Sequence, residues 1–265
     1  MRILYVDCFS GISGDMTIGA LLDAGASFHS LESQLALLQL EQEYQLSIEK
    51  VMKNGIHSNK FHVMLKEEHT HQHSHHHGEP EDHHHHHHDN HSHSHHHRTY
   101  QDIVKLIDNS ELDDKVKSRS LEMFRVIGEA EAKIHGMDIA QVHFHEVGAI
   151  DSIIDIVGTA ILLEELAVDR MIAAPVPVGS GHIHIDHGVY PVPAPATLEV
   201  LKGIPLAKSS IKGELTTPTG AAIIKTQVDA FSTLPTMRVD KIGYGAGTKT
   251  FKDHPNVLRV VIGED

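Results

Sequence analysis

The 265 residues contain no tryptophan and one cysteine, Cys8. A single thiol excludes an intramolecular disulfide framework and any paired-cysteine zinc site. Aromatic residues are only 5% of the chain, so the core is expected to be aliphatic. No GxxxxGK[ST] loop occurs, which disfavours a P-loop nucleotidase. No apolar run approaches the length of a membrane span, and Met1–Tyr5 enters a strand pattern directly instead of a signal peptide. Positive charge is scarce too: 22 Lys and Arg against 36 Asp and Glu give a formal net charge of −14. That balance argues against nucleic acid as the main partner and suits a cationic one, such as a metal ion. These absences predict a soluble cytoplasmic protein without membrane or nucleic-acid partners. The length allows one large domain or two small ones.

Histidine is what the chain has in excess. Of its 27 histidines, 17 fall within the 29 residues 69–97, and His83, His84, His85, His86, His87 and His88 are consecutive. Such a segment cannot repay its ordering entropy by burial, so it is expected to be disordered without metal. Imidazole suits nickel, zinc, copper and cobalt. Low-complexity sequence holds no single rigid geometry, which favours a collector of ions over a catalytic site. A pH-responsive linker and a neutral surface insertion are the alternatives.

The stretch His143–Gly158, HFHEVGAIDSIIDIVG, combines two periodicities. His143 and His145 alternate with Val142 and Phe144 as in a strand, and after Gly148 the residues Ile150, Ile153, Ile154, Val157, Ile161 and Leu162 recur at helical spacing. Asp151 and Asp155, four apart, share one face of that helix. Burying acids on an apolar helix is costly unless positive charge meets them. With Glu146, two imidazoles and three carboxylates suggest a divalent-metal or proton-transfer site. The bland reading is that Asp151 caps the helix and the histidines are satisfied strand residues. Further on, His182, His184 and Asp186 alternate with Ile183 and Ile185, with His187 in the following turn, as a second candidate metal face or a plain polar strand face.

Two turns carry anion-binding chemistry. The strand Arg2–Asp7 runs into CFSGISGDM, with Ser13 as N-cap of a helix to about Asp23 closed by Gly25. Ser10, Gly11, Gly14 and Asp15 lie where free backbone N–H groups gather, and Asp7 ends the strand as a possible metal contact. Asp15 also suits the helix dipole, and Cys8 a small buried hydrophobe. ELTTPTGAA repeats this logic with Thr217, Thr219 and Gly220 before a helix to about Val228, where a plain N-cap explains Thr219 equally well. The glycines of Gly243–Gly247 would let a ligand or a neighbouring segment approach closely.

The rest reads as scaffold. A helix over Ser30–Leu40 precedes strands Tyr44–Met52 and Ile56–Leu65 joined by Asn54-Gly55, a hairpin turn. Thr99 and Asp102 form a capping box for a helix to about Asp108. A helix over Asp113–His135 places Val116, Phe124, Ile127 and Ile134 inward, and Gly136 ends it. Met171–Val178 is a strand interrupted by Pro175 and Pro177, and Val257–Ile262 is the last strand. The expected fold is α/β, with α+β as the alternative: one domain over 1–68 and 98–265, with mixed sheet and helices, interrupted by the histidine-rich insert 69–97.

DCFSGISGDM, VHFHEVGAIDSIIDIVG, the histidine-rich insert between them, PVPVGSGHIHIDHGVYPVPAPAT, ELTTPTGAA and KIGYGAGTKTF…PNVLRVVIGE together resemble the LarC family of nickel insertion proteins. The resemblance spans essentially the whole chain, with several long motifs in order. It implies Ni(II) as cargo and pyridinium-3,5-bisthiocarboxylic acid mononucleotide as substrate. It further implies a CTP-dependent cyclometallation, assisted by Mn(II) or Mg(II), that completes the nickel-pincer cofactor of lactate racemase. Complete family members continue into a C-terminal domain associated with CTP binding. The resemblance therefore implies a separate C-terminal partner chain or a longer frameshift product, and the lactate racemase apoprotein as an indirect partner. Whether the chain forms a homo-oligomer is open. In this reading the insert collects nickel and the His143–Asp155 and His182–His187 faces position it. Asp151, Asp155 and Glu146 supply catalysis, and the Ser10–Asp15 and Thr217–Gly220 turns anchor the mononucleotide phosphate. A metal storage protein, and a metal-dependent hydrolase using Glu146 as general base, are the competing readings.

Overall fold

The computed structural model describes residues 1–66, 98–144, 149–185 and 188–265. The insert with His83–His88, and also His145, Glu146, Asp186 and His187, lie outside the described residues.

A seven-stranded mixed sheet is the frame, built from β1 (Arg2–Asp7), β2 (Tyr44–Lys53), β3 (Ile56–Leu65), β4 (Arg170–Ala173), β5 (Ala230–Phe231), β6 (Arg238–Ala246) and β7 (Val257–Glu264). Its order is β5-β4-β1-β7-β6-β3-β2. β5, β4 and β1 run parallel, whereas β7 lies antiparallel between β1 and β6. β1 is buried along its length because both its faces are covered. Leu4 and Val6 join the main core, while Ile3 and Tyr5 meet Ile172 and Val261 in a small cluster on the other side. The final strand pairs with β1 over six residues, from Arg2 opposite Glu264 to Asp7 opposite Arg259.

Seven α-helices among the described residues surround this sheet: α1 (Gly14–Asp23), α2 (Phe28–Leu35), α3 (Tyr100–Asp108), α4 (Asp114–His135), α5 (Ile150–Glu165), α6 (Pro195–Val200) and α7 (Pro218–Gln227). α5 is the central one, with Ile153, Ile154, Ile156, Val157 and Leu162 fully buried. Burial of each such side chain contributes roughly 1.5–3 kcal/mol, enough together to tolerate a buried acid on the same helix. α1 lies directly on β6. A Cβ on Gly245 would fall 1.8 Å from the Met16 carbonyl oxygen, and one on Gly243 2.1 Å from that of Ala20. The neighbour that the glycines of β6 admit is therefore α1.

Local signals hold where the chemistry is local. Asn54 and Gly55 both take positive φ between β2 and β3. The Thr99 hydroxyl accepts the Asp102 N–H, while the Asp102 carboxylate accepts the Thr99 N–H. Three expectations shift. Ser27 caps α2, which starts at Phe28 and ends in a 3-10 turn over Ala36–Leu38. The Met171–Val178 strand stops at Ala173, and Val176–Pro177 pairs separately with Leu206–Ala207. Ile134 points outward, 40% exposed, because the buried stripe of α4 ends at Ala132 and its last turn overhangs the core.

Both flanks of the insert are held by one residue. The Lys66 N–H donates to the Glu43 carbonyl at 2.9 Å. Arg98 grips the Glu43 carboxylate with two bonds, of 2.6 and 2.8 Å. The loop base is closed on the folded body.

Candidate functional site: a cleft where three helices begin

The turns Ser10–Asp15 and Thr217–Gly220, 200 residues apart in sequence, meet in space. Ile12 bridges Thr216, donating its N–H to the Leu215 carbonyl and accepting the Thr217 N–H. The junction is tight because its glycines are small. A Cβ on Gly220 would lie 2.0 Å from the Ile12 carbonyl oxygen, and one on Gly11 2.0 Å from that of Leu215. Gly11 and Gly220 therefore serve backbone–backbone contact. Ser10 is fully buried, its hydroxyl 2.6 Å from His254 Nε2 and donating to the Pro255 carbonyl.

Beside this junction opens a cleft of about 370 Å³. α1 contributes Ser13 and Asp15, α5 contributes Asp151, Ser152 and Asp155, and α7 contributes Thr217, Pro218 and Thr219. The strand β3 supplies a wall of Lys60, Phe61, His62 and Val63. Three helix N-termini thus face one space. Each presents N–H groups without intrahelical partners and the positive end of its dipole, a combination that favours anions.

Capping at the junction is crossed. Ser13 is the N-cap of α1 by position, yet its hydroxyl makes no cap bond and donates to Asp15 instead. The Gly14 N–H is taken by Thr219 Oγ1 of α7 at 3.2 Å, and Thr219 Oγ1 lies 2.9 Å from Thr217 Oγ1. Thr217 caps its own helix through the Gly220 N–H. The two helix starts are therefore one hydrogen-bonded unit.

The floor is acidic with one cation. The buried Lys60 forms an ion pair with Asp15. Asp155 is the innermost carboxylate, keeping a strip of accessible surface at the cleft floor. Burial holds its proton affinity well above the usual carboxylate range, reinforced by the neighbouring Asp15 and Asp151 and opposed by Lys60 and the Asp15 N–H. Space for Asp155 exists only because residue 14 is glycine: a Cβ there would sit 2.3 Å from the Asp155 Cβ. Asp151, at the mouth, accepts the Ser152 N–H, while the N-cap of α5 is Ala149.

The remaining sequence candidates lie elsewhere. Asp7 is paired with Arg259, which donates from Nε at 2.9 Å. Cys8 is fully buried and its thiol is pushed up to about 12, mainly by desolvation, so no thiolate is available there. His143 is exposed and bridges Thr99, where the chain returns from the insert. His182 and His184 are exposed on a hairpin of His182–Ile185 and Gly188–Pro191. None of these three histidines lines the cleft. Among the described residues no three His, Cys, Asp or Glu side chains gather to hold a metal ion.

Lys60, His62 and Thr248 line the cleft without having been legible as site residues. In the SNKF segment of β3, Ser58, Asn59, Lys60 and Phe61 are all buried, so strand alternation gave no cue. The one available hint was a lysine inside a strand that also carries Phe61 and Val63.

Fold and cleft define an α/β protein whose site joins an anion-accepting ring of helix starts to a carboxylate floor. The chain belongs to the nickel insertion protein family, whose profile matches residues 4–265. It is 52% identical over its full length to the pyridinium-3,5-bisthiocarboxylic acid mononucleotide nickel insertion protein of Geobacillus kaustophilus, covering 60% of that protein. Identically named proteins of Clostridium kluyveri and Staphylococcus epidermidis are 50% and 46% identical, over 100% and 98% of this chain and 62% and 59% of their own lengths. The chain thus spans about 60% of the length of these relatives. No solved structure matches it. Among the described residues no helix is long and apolar enough to cross a membrane.

Proposed function

We propose that this chain captures nickel and delivers it to pyridinium-3,5-bisthiocarboxylic acid mononucleotide during synthesis of the nickel-pincer cofactor of lactate racemase. The observation that carries the reading is the convergence of the α1, α5 and α7 starts, with Lys60, on one cleft. The relatives' names supply the identity of the substrate.

The substrate's two opposite charges match the two characters of the cleft. Its phosphate suits the Thr217–Thr219 rim, where helix starts and Lys60 favour an anion. Its pyridinium cation suits the carboxylates Asp15, Asp151 and Asp155, which would repel a bare dianion. A cation entering there draws Asp155 back to its ionised form. When nickel bonds to ring carbon, that carbon's hydrogen leaves as a proton, and in this reading the Asp155 carboxylate accepts it. Nickel moves from imidazole in the insert to the softer thiocarboxylate sulfurs, a favourable direction of transfer. Mn(II) or Mg(II) and CTP, which closure of the carbon bond needs, belong in this reading to the part of the protein that the relatives carry beyond this length.

The test mixes the chain, loaded with nickel, with the bisthiocarboxylate mononucleotide, with and without CTP and the relatives' C-terminal portion. Sulfur-to-nickel absorbance is expected with this chain alone, and the carbon-bonded product only with CTP and that portion. Nickel that stays on the chain under every condition contradicts the proposal.

A further inference from the structure

His62 is the one imidazole that lines the cleft among the described residues. It lies on β3 two residues beyond Lys60, on the same face of the strand and about 7 Å further from the floor. Its Nε2 is 2.9 Å from Glu49 Oε1 on β2. A carboxylate accepts only from a proton-bearing nitrogen, so this pairing puts a proton on Nε2, and the neutral ring so held has its lone pair on Nδ1. A metal-binding histidine is commonly held this way, by a carboxylate on the nitrogen opposite the metal. Glu49 is itself the register partner of Lys60, which turns away to Asp15 and leaves Glu49 to the imidazole.

The chain path adds the second argument. β3 ends at Leu65, and the first histidine of the insert, His69, follows His62 by seven residues. Seven residues reach at most about 25 Å. By chain length alone, an ion bound at His69 is therefore within about that distance of His62. Glu43 holds both Lys66 and Arg98, the described residues on either side of the insert.

We infer that His62 is a hand-off ligand for nickel, receiving the ion through Nδ1 at the cleft wall before the substrate's sulfurs take it. Glu49 is the positioning residue that orients the ring. The inference rests on the nickel-delivery reading above. An ordinary surface pair with no part in transfer is the alternative that the test must separate.

The experiment uses the full chain preloaded with substoichiometric nickel and follows sulfur-to-nickel absorbance after mixing with the mononucleotide. His62→Ala is expected to slow transfer at least about tenfold while nickel stoichiometry in equilibrium dialysis stays unchanged, because the insert is intact. His57→Ala, on the same strand but outside the cleft, is expected to transfer at the native rate. Glu49→Gln is expected to fall between them. In parallel, diethyl pyrocarbonate labelling read by mass spectrometry should show His62, and not His57, protected by nickel together with the mononucleotide. Native-rate transfer by His62→Ala, or an unprotected His62, overturns the inference and leaves the delivery reading standing. A native chain that transfers no nickel overturns the delivery reading itself, whatever His62 does.

Discussion

Thr219, in the first turn of α7, accepts the N–H of Gly14, the first residue of α1. One helix therefore caps another across 205 positions of sequence. This bond ties together the two turns that form the rim of the cleft.

Because of that crossing, the two hydroxyls at the start of α1 are unequal. Thr219→Val leaves the buried Gly14 N–H without an acceptor and is expected to destabilise the protein by about 1–2 kcal/mol. Ser13→Ala, at the formal N-cap, removes no cap bond and loses only the hydroxyl's bond to the partly exposed Asp15, so it is expected to cost less than Thr219→Val. Urea unfolding midpoints of the two variants measure the difference, and equal losses would contradict it.

Gly14→Ala sets two effects against each other. Helix propensity favours alanine by about 1 kcal/mol. Against that, the new Cβ would lie 2.3 Å from the Asp155 Cβ and 2.6 Å from its Oδ2. Overpacking at a rigid site costs about 1–3 kcal/mol and displaces the carboxylate. The clash wins, so the variant is expected to melt lower than the native chain and to lose mononucleotide binding.

Lys60 and Asp15 are coupled at the cleft floor. Lys60→Met leaves Asp15 facing Asp155 with no cation, at an expected cost of about 2–4 kcal/mol at neutral pH, tempered by the partial exposure of Asp15. Asp15→Asn in the Lys60→Met background should recover most of it. A double-mutant cycle on unfolding free energies tests this, and additive losses would count against the pairing.

In the proposed function Asp155 trades stability for chemistry. Its proton affinity is raised in the folded state, so the stabilisation linked to its protonated form is complete below the unfolded carboxylate pKa. That stabilisation is lost as pH rises through the higher folded value. Asn keeps an oxygen for the Asp15 N–H and carries no charge. Asp155→Asn is therefore expected to be more stable than the native chain at pH 7.5, with the advantage shrinking towards pH 4, and to be inactive in cofactor maturation. Thermal melts across that range give the sign. An advantage that grows on acidification would refute the assignment.

What was legible in the sequence follows the range of the interactions. The Asn54-Gly55 turn, the Thr99–Asp102 box and the apolar stripe of α5 are set within a few residues, and the structure has each of them. Asp151 and Asp155 were visible as two acids on one apolar helix. The cation near Asp155 was not, because Lys60, paired with Asp15, comes from a strand about ninety residues earlier. The zippering of Ile12 to Thr216 was equally hidden, since each turn alone reads as an ordinary helix start. Ile134 was misplaced because helical periodicity continues past the point where the core surface ends.

The central claim is that the cleft holds the mononucleotide by its phosphate at the Thr217–Thr219 rim, the start of α7, beside Lys60. Titration calorimetry of the chain with the bisthiocarboxylate mononucleotide, and with the same compound lacking its phosphate, tests it directly. Loss of the phosphate is expected to weaken binding about 10- to 100-fold, the worth of one or two charge-assisted hydrogen bonds, with Lys60→Met weakening the mononucleotide alone. Equal affinity for the two compounds, or a mononucleotide affinity untouched by Lys60→Met, would contradict the account.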